Sequence, residues 1–464
     1  MTTPARWVTR RTPGRIRPGS TRSGNRSRST RLGRAIGVAT AALVLAATFV
    51  PWTGSVGVTA RAADASRQGW KIAPGVKLTR IRYPNVPNEV RILTIFPQRG
   101  PRLDVVPAGS EFPMYRLTSG MAAGNDAIAG VNGDFATPYG APVHTTMIDG
   151  ELWNSAASGG PGFAVSHDGA NAYIGIPKLR MEARVGQRSQ DIAEWNVGTP
   201  ATWSIHAYTR RGGSRIQPPG TSSPRTTDPV FCAVRLSPTS GYDWSNEARA
   251  MIVRTYEVRA QACDRTRMGL GSEGGNVVLA SKSRDGSKSQ WLRSLAVGSR
   301  VRLAYGVGGW PGVTDVVGGT PMLVRDRENV APRYHSGADN LLWYNPRTSV
   351  GINGGCVDSD RGSRCKIWVV TVDGRQSPNW SKGMQLPRLA KEFIGLGARY
   401  AMNLDGGAST AMWVKRRRDA YCQSNSSVGG CLVNRPSASF GERATIDGLT
   451  LLPQPDASTP RALR

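Results

Sequence analysis

The sequence predicts a β-rich α+β fold with a mixed or antiparallel sheet core and few helices. The predicted fold also contains a β insert and is cross-linked by disulfides. Three observations lead to this class. The 464 residues include 55 glycines and 31 prolines, a composition typical of turn-rich architecture rather than of helical bundles. Short apolar or alternating runs end repeatedly at turn residues. One segment alone has a clear helical period.

The first 62 residues are predicted to be a secretory signal peptide with a long basic n-region. Arginines crowd residues 1–34, residues 35–60 are uncharged, and Ala60-Arg61-Ala62 has the small-residue pattern of a cleavage site. The predicted location is therefore secreted or cell-envelope associated, with no membrane span after cleavage. Retention of this segment as an uncleaved anchor is the alternative.

The chain is strongly basic, with 60 Lys and Arg residues against 32 Asp and Glu and a formal net charge of +28. Such a charge raises nucleic acid as a partner. The sequence has no zinc-finger spacing, no helix-turn-helix signature and no aromatic RNA-binding strand, so we expect no nucleic-acid function. A cationic surface that faces an anionic cell-envelope polymer is the preferred interpretation.

All six cysteines follow the leader, and none forms a Cys-x-x-Cys pair. An even number of cysteines in an exported chain predicts disulfides, because the compartment is oxidising. The simplest pairing is sequential: Cys232–Cys263, Cys356–Cys365 and Cys422–Cys431. The four histidines are scattered along the chain, so we expect no zinc site.

The chain beyond the leader is predicted to form one interrupted domain. Residues 63–174 and 313–452 are its two parts, residues 175–312 are a β insert, and residues 453–464 are a tail. The first part opens with a predicted hairpin, which has its strands at residues 77–83 and 90–96.

The insert is expected to be irregular over residues 175–229, where Gly212-Gly213 and Pro218-Pro219-Gly220 interrupt any period. Strands are expected after this segment, at residues 231–236, 251–260, 276–280 and 299–305. Cys232 and Cys263 would staple the first two of them.

The clearest helix lies in the last part of the domain. Leu386, Leu389, Ala390, Phe393 and Ile394 recur at helical spacing, a proline occupies the first turn, and two glycines end the pattern. Strands are predicted before this helix at residues 367–372 and after it at residues 398–404. The second strand leads directly into the most polar cluster of the chain.

That cluster is Asn403-Leu404-Asp405-Gly406-Gly407-Ala408-Ser409-Thr410. A strand that ends in Asp-Gly-Gly directs a carboxylate from a rigid element, and the glycines leave room for a ligand against the backbone. The hydroxyls that follow can bind oxyanions. An ordinary Asp-Gly turn is the structural alternative.

Two further clusters carry candidate residues. Arg347-Thr348-Ser349 stands at a predicted strand entrance, where a guanidinium could bind a phosphate with two parallel hydrogen bonds. Asn132-Gly133-Asp134-Phe135 places an amide and a carboxylate at another strand end, and His144 follows in a position to line the same cleft. A surface arginine, a polar turn and a structural histidine are the respective alternatives.

Together these motifs resemble the phosphodiester glycosidase family. The family pattern comprises an Asn-Gly-Gly-Phe-Phe strand end, a Gly-Gly-x-Pro-x-Leu bend, an Arg-Thr-x-x-Gly strand, a helix and Asn-Leu-Asp-Gly-Gly-x-Ser. The counterparts follow in the same order at residues 132–135, 318–323, 347–351, 386–396 and 403–409. The chain departs from the pattern at Asp134, where many relatives have Gly, at Ala136 in place of Phe, and at Ala408 in place of Gly.

The resemblance implies hydrolysis of a sugar-1-phosphodiester by a secreted glycosidase. A phosphate leaving group needs little protonation, so one carboxylate and one arginine suffice. The catalytic candidates are Asp405, Arg347 and the rival base Asp134. The candidates for substrate binding are Asn132, Gly133, His144, Thr348, Asn403, Gly406, Gly407, Ser409 and Thr410.

The predicted reaction requires no cofactor, and a divalent cation such as calcium bound by Asp134 or Asp405 is left open. Two other function classes stay open as well. The first is a non-catalytic binding module for phosphorylated cell-envelope polysaccharide, which would bind without turnover. The second is simple adhesion of a cationic secreted protein to anionic polymers, which would not depend on Asp405.

Overall fold

The computed structural model describes residues 65–156, 159–198, 203–215, 230–243, 251–266, 268–284, 286–332, 343–357, 364–415, 422, 424–425 and 429–453. The predicted leader, residues 1–62, lies outside the described residues, as does the predicted tail beyond residue 453. None of the helices in the described ranges has the length and apolarity needed to cross a membrane.

Three runs of elements follow one another along the chain. The first contains β1 (Ser66–Ala73), β2 (Val76–Tyr83), β3 (Asn88–Ile95), β4 (Arg102–Pro107), α1 (Thr118–Gly124), β5 (Ala129–Asn132), β6 (Thr146–Ile148), β7 (Glu151–Asn154), β8 (Gly162–Ser166) and β9 (Ala172–Gly175). The second contains β10 (Leu179–Val185), β11 (Arg188–Asp191), β12 (Glu194–Trp195), β13 (Ile205–Thr209), β14 (Val230–Pro238), β15 (Ile252–Thr266), β16 (Val277–Ser281), α2 (Ser287–Arg293) and β17 (Arg300–Val307). The third contains β18 (Val313–Gly318), β19 (Met322–Arg325), β20 (Glu328–Asn329), β21 (Arg347–Ile352), β22 (Ile367–Val372), α3 (Leu386–Leu396), β23 (Tyr400–Asn403), β24 (Met412–Lys415), β25 (Ser424–Asn425), β26 (Gly430–Leu432) and β27 (Asp447–Leu452).

The first sheet joins the beginning of the domain to its end. Its strand order is β1-β2-β3-β22-β21-β23-β19-β20, and all its neighbours are antiparallel. The predicted hairpin is β2–β3, and β3 continues the sheet by pairing with β22. Helix α3 buries Leu386, Leu389 and Phe393 in the core on one face of this sheet. The helix ends at Gly397, whose left-handed backbone, with φ of 94°, is a common helix terminator.

Two smaller sheets complete the core that positions the site. The six-stranded sheet has the order β25-β26-β24-β5-β27-β4, so β5 lies between β24 and β27. The five-stranded sheet has the order β7-β6-β18-β8-β9. Residues of all three sheets described so far share the largest apolar core of the described chain.

The middle run forms a separate eight-stranded sheet, in the order β11-β10-β17-β15-β14-β16-β13-β12. Within it only β12 and β13 pair in parallel. The strands expected in the later part of the insert correspond to β14 to β17. The expectation that residues 175–229 are the least regular part was wrong for residues 179–209, which contain β10 to β13. Residues 216–229, with the predicted Pro218-Pro219-Gly220 interruption, lie outside the described residues. Strand β10 pairs with β17, far along the chain, and β12 has two residues and therefore no readable period.

The predicted fold class is confirmed in the described residues, which form a β-rich structure with three α-helices, mostly antiparallel sheets and three disulfides. The disulfides follow the sequential pairing. Cys232–Cys263 joins directly paired positions of β14 and β15. The other two, Cys356–Cys365 and Cys422–Cys431, each close a short loop.

Candidate active site

The three predicted motifs meet at one place in the fold. Strand β5 ends at Asn132, β21 begins at Arg347, and β23 ends at Asn403. The Nδ2 atom of Asn132 donates to the carbonyl oxygen of Asp405 over 2.7 Å, and its Oδ1 accepts from the Thr348 hydroxyl over 2.7 Å. One fully buried side-chain amide therefore ties the three motifs together.

The Asp405 carboxylate is the least buried acid of the cluster, with 14% of its side chain exposed. Its Oδ1 accepts the amide of Gly406 over 2.8 Å, and its Oδ2 accepts the Ser409 hydroxyl over 2.5 Å and Nη2 of Arg443 over 3.0 Å. Burial raises the pKa of Asp405, against the opposing effects of Ser409 and Arg443, and the nearby Asp134 charge raises it further. The group is thus a fixed carboxylate of increased basicity.

The glycines after Asp405 bring its loop against the backbone that precedes β21. The amide of Gly407 donates to the carbonyl oxygen of Pro346 over 3.0 Å, and Gly407 has a φ of 60°. A Cβ atom on Gly406 would lie 2.8 Å from that same carbonyl oxygen. A side chain at Gly406 would therefore push the loop away from the backbone before β21, and one at Gly407 would be strained by its left-handed backbone conformation.

Asp134 and His144 form a buried pair next to this loop. His144 Nδ1 lies 2.7 Å from Asp134 Oδ1, and the His144 amide donates to Asp134 Oδ2 over 2.9 Å. A backbone hydrogen bond joins the pair to the Asp405 loop, because the Asp405 amide donates over 3.0 Å to the carbonyl oxygen of Gly133, the residue before Asp134. A carboxylate on Nδ1 fixes the orientation of an imidazole and leaves Nε2 as its reactive nitrogen.

A third carboxyl group, Asp447, was not among the residues chosen from the sequence. It begins β27, and its Oδ1 accepts the amide of Asp134 over 2.7 Å. Its Oδ2 is buried and has no hydrogen-bond partner among the described residues. Burial raises the pKa of Asp447 well above its usual range, and the charges of Asp134 and Asp405 add to this effect. In the sequence it belongs to an isolated Asp-Gly pair, which is typical of a turn.

Arg347 lies deeper than a residue at the surface of a cleft, with 2% exposure. Its Nε donates to the carbonyl oxygen of Met384 over 3.0 Å and its Nη2 to that of Trp343 over 2.8 Å. Burial, together with the charge of Arg375, lowers the pKa of Arg347 to about 10. These contacts tie the start of β21 to the backbone of residues 343 and 384.

Two other arginines, which the sequence motifs did not single out, lie at that loop. Arg443 contacts Asp405, as described above, and half of its side chain is exposed. Arg375 donates from Nε and Nη2 to the side-chain oxygen of Asn345 over 3.1 and 3.0 Å, and its guanidinium lies beside Gly407. Both cations are therefore placed where an anionic group bound near Asp405 would meet them.

The remaining predicted residues lie beneath the loop and are buried. Asn403 donates through Nδ2 to the carbonyl oxygen of Thr320 over 2.8 Å and accepts from Ser349. The Thr410 amide donates to the carbonyl oxygen of Gly407 over 3.2 Å. Asn403 and Thr348 thus form side-chain hydrogen bonds behind the site, whereas Thr410 contributes its backbone amide.

The carboxylates predicted to hold a cation are already occupied by hydrogen-bond donors. Asp134 accepts from His144 and from the amide of Phe135, and Asp405 accepts three hydrogen bonds. In the described part of the chain, acidic groups whose oxygens lie within 4.8 Å of one another occur at Asp104, Asp149 and Asp315. This group includes neither of the predicted ligands.

Two solved structures share the fold of this chain, with TM-scores above 0.5. A hypothetical protein from Synechocystis is 16% identical with a TM-score of 0.56, and the match covers 81% of this chain and 62% of that one. A Burkholderia pseudomallei protein described as exported is 23% identical with a TM-score of 0.51, covering 81% and 76% of the two chains. The catalytic domain of zebrafish N-acetylglucosamine-1-phosphodiester alpha-N-acetylglucosaminidase is 13% identical with a TM-score of 0.40, covering 85% and 89%. This chain thus spans less than two thirds of the Synechocystis protein.

No curated protein matches the sequence. A sequence model of the phosphodiester glycosidase family does match it, over residues 253–452. These residues contain the Arg347 and Asp405 motifs, together with Arg375, Arg443 and Asp447. The resemblance of this chain to the phosphodiester glycosidase family is thereby confirmed for residues 253–452.

Proposed function

We propose that the chain is an exported glycoside hydrolase that cleaves the sugar from a sugar-1-phosphodiester. The observation that carries the proposal is the position of Asp405. This carboxylate has a raised pKa, contacts Arg443 over 3.0 Å, and belongs to a loop whose Gly407 lies beside Arg375. It also lies inside the residues that match the phosphodiester glycosidase family. The other buried carboxyl groups and His144 lie behind it.

The reaction requires one water molecule. Asp405 accepts a proton from this water while the oxygen attacks the anomeric carbon, and the bond between that carbon and the phosphate oxygen breaks. The electron pair of the broken bond leaves with the phosphate. The products are the free sugar and a phosphomonoester, and the proton on Asp405 then passes to solvent.

The leaving phosphate carries the charge that develops in the transition state. Arg443 uses Nη2 for its hydrogen bonds to Asp405 and Ser409, which leaves its other N–H groups for a phosphate. Arg375 lies beside Gly407 and adds a second positive charge. We assign stabilisation of the leaving group to these two arginines, and we assign to the buried Arg347 the positioning of the loop.

The acids behind Asp405 have supporting roles. Asp134 orients His144 through Nδ1, which makes this pair the alternative acid–base group of the site. Asp447 is proposed to be protonated, because an ionised carboxylate at this depth would repel Asp134 and Asp405. A neutral Asp447 leaves the single negative charge of Asp405 nearest to the substrate.

The proposed location is outside the cytoplasm. The three disulfides fit an oxidising compartment, and the predicted leader supplies the export signal. The basic composition fits a substrate that belongs to an anionic envelope or extracellular polymer.

A panel of methyl-capped glycosyl-1-phosphates that differ in their sugar tests the proposal. The purified chain should release free reducing sugar and methyl phosphate from at least one of them, and Asp405→Asn should abolish most of this release. Binding of these compounds without any release of sugar would overturn the hydrolase and favour the binding module. Cleavage to a sugar phosphate and methanol would place the chemistry at phosphorus rather than at carbon.

A further inference from the structure

A second cavity, of about 330 Å³, lies in the middle run of strands and shares no lining residue with the candidate active site. Aromatic side chains of Trp195, Tyr242 and Tyr256 form much of its wall. Its volume falls at the lower end of the range for small-molecule sites, roughly 300–1,000 Å³, which corresponds to one sugar ring rather than an oligosaccharide.

Two buried polar atoms belong to side chains that line this cavity. Trp195 Nε1 and Asn276 Oδ1 have no hydrogen-bond partner among the described residues, although Trp195 is 2% and Asn276 5% exposed. Buried donors and acceptors are almost always satisfied in folded proteins. One of these atoms can only donate and the other can only accept, so the pair matches a ligand with hydroxyl groups.

The charges around the cavity favour an anion. Arg210, Arg211 and Arg254 line it, whereas Glu151 is its single acid and pairs with Arg211 over 2.7 Å. The guanidinium of Arg254 lies 4.6 Å from the centre of the Tyr242 ring, and its Nε donates to a backbone carbonyl. Arg254 also hydrogen-bonds the Tyr242 side chain, so this cation is held in place at the cavity wall. The N–H groups not used in these bonds can pair with a carboxylate or phosphate.

We propose that this cavity, named here the insert cavity and defined by Trp195, Tyr242, Arg254, Tyr256 and Asn276, binds one anionic monosaccharide unit. The ring of the sugar packs its C–H groups on the aromatic wall. One hydroxyl accepts from Trp195 and another donates to Asn276, and the anionic group pairs with Arg254. The site binds without catalysis and is independent of the hydrolysis proposed for Asp405.

Isothermal titration calorimetry with glucose 6-phosphate, glucuronate and glucose tests the proposal, using the full chain with Asp405→Asn. At least one anionic sugar should bind ten-fold or more tightly than glucose, and the comparison of the two identifies the preferred anion. Equal affinity for all three sugars, or binding of none, would overturn the proposal.

Variants locate the binding. Trp195→Phe keeps the aromatic ring and removes the N–H, and we expect it to weaken the anionic sugar about five-fold. Arg254→Gln removes the charge and should weaken binding of the anionic sugar ten-fold or more. The control Trp203→Phe changes a tryptophan that is 72% exposed and should leave the affinity unchanged. Each of the three changes, made in the chain that keeps Asp405, should leave hydrolysis of the methyl-capped substrates unchanged. Wild-type affinity in both Trp195→Phe and Arg254→Gln would place the bound sugar elsewhere and reject the insert cavity.

Discussion

The side-chain nitrogen of Asn132 lies 2.7 Å from the carbonyl oxygen of Asp405, although the two residues are 273 positions apart in the chain. The same side chain accepts from Thr348 and from the amide of Ala411. We therefore propose that Asn132 is a positioning residue, which holds the backbone of Asp405 and so sets where its carboxylate stands.

Asn132→Ala should lower both stability and activity. The substitution leaves buried partners unsatisfied in three segments, which should reduce the free energy of unfolding by about 3 kcal/mol. At a temperature where the variant is folded, kcat should fall while KM changes little, because the carboxylate is displaced and the cations remain. Asn329→Ala, which removes hydrogen bonds to Pro387 in the first turn of α3 and to the Ala331 amide, should leave kcat unchanged. A variant with wild-type kcat would contradict the positioning role.

Asp405→Asn should reduce turnover by roughly 10²–10⁴-fold, the usual contribution of a general base. The side chain keeps its size, and KM should change far less because the lost charge does not attract the phosphate. The matched control is Asp264→Asn, a change at an exposed position of β15. Wild-type turnover in Asp405→Asn would move the assignment to Asp134 and His144.

Arg443→Lys should lower kcat about ten-fold or more without loss of folding. A lysine cannot hold Asp405 and Ser409 and also present a second pair of donors to phosphate. Arg399→Lys is the control, because Arg399 forms a similarly exposed pair with Asp326 over 3.0 Å. If both variants retain wild-type kcat, Arg443 has no part in stabilising the leaving group.

The free energy of unfolding should fall as the pH rises from about 4 to about 6, because Asp373 keeps its proton in the folded chain. Burial raises the pKa of Asp373 to about 6, although Trp380 and the amide of Arg435 donate to its carboxylate. In this window the folded chain keeps a proton that the unfolded chain releases, so the free energy of unfolding falls as pH rises, by about 3 kcal/mol.

Asp373→Asn should reduce this dependence, while Asp405 and Asp447, whose pKa values burial also raises, keep their own contributions. Denaturant unfolding at a series of pH values should give a smaller slope for Asp373→Asn than for the wild type, whereas the exposed Asp264→Asn should keep the wild-type slope. An unchanged slope in Asp373→Asn would assign the proton to another buried acid.

Export should leave a shorter, oxidised chain. Mass spectrometry of the exported protein should show loss of roughly the first 60 residues, in keeping with a signal peptide, and six oxidised cysteines. A mass that retains the leader would favour the uncleaved anchor, and free thiols throughout would contradict an oxidising compartment.

The parts of the fold that could be predicted are those with strong local patterns. Helix α3 has its predicted bounds because its apolar period is regular and a proline and glycines mark its ends. The hairpin β2–β3 and strand β22 are similarly clear. Strands β10 to β13 were missed although Leu179, Met181, Ala183 and Val185 alternate in β10, because the following glycines and prolines dominated the interpretation.

The site could be predicted in its motifs but not in all of its partners. Asp405 and Ser409 contact one another within one loop, so local spacing was enough to find them. Arg443 lies just before β27, and Asp447 is the first residue of β27. Both reach the site because β27 pairs with β5, the strand that ends at Asn132. No spacing along the chain encodes that pairing, so these two residues lack a sequence signal.

The pairing of β3 with β22 has a consequence for how the molecule is made. Ile95 faces Ile367 across this ladder, so the opening hairpin has no neighbour on that side until most of the chain has been synthesised. A sheet that needs partners so distant in sequence forms slowly, because the entropy of closing a long loop is lost before the stabilising contacts form. The nascent chain would therefore leave the ribosome before the first sheet has formed. A chain in this state is still unfolded enough to be threaded across a membrane.

A fragment restricted to residues 253–452 would keep β22, β24 and β27 but lose β3, β4 and β5. We expect this fragment to expose unpaired strand edges and to aggregate.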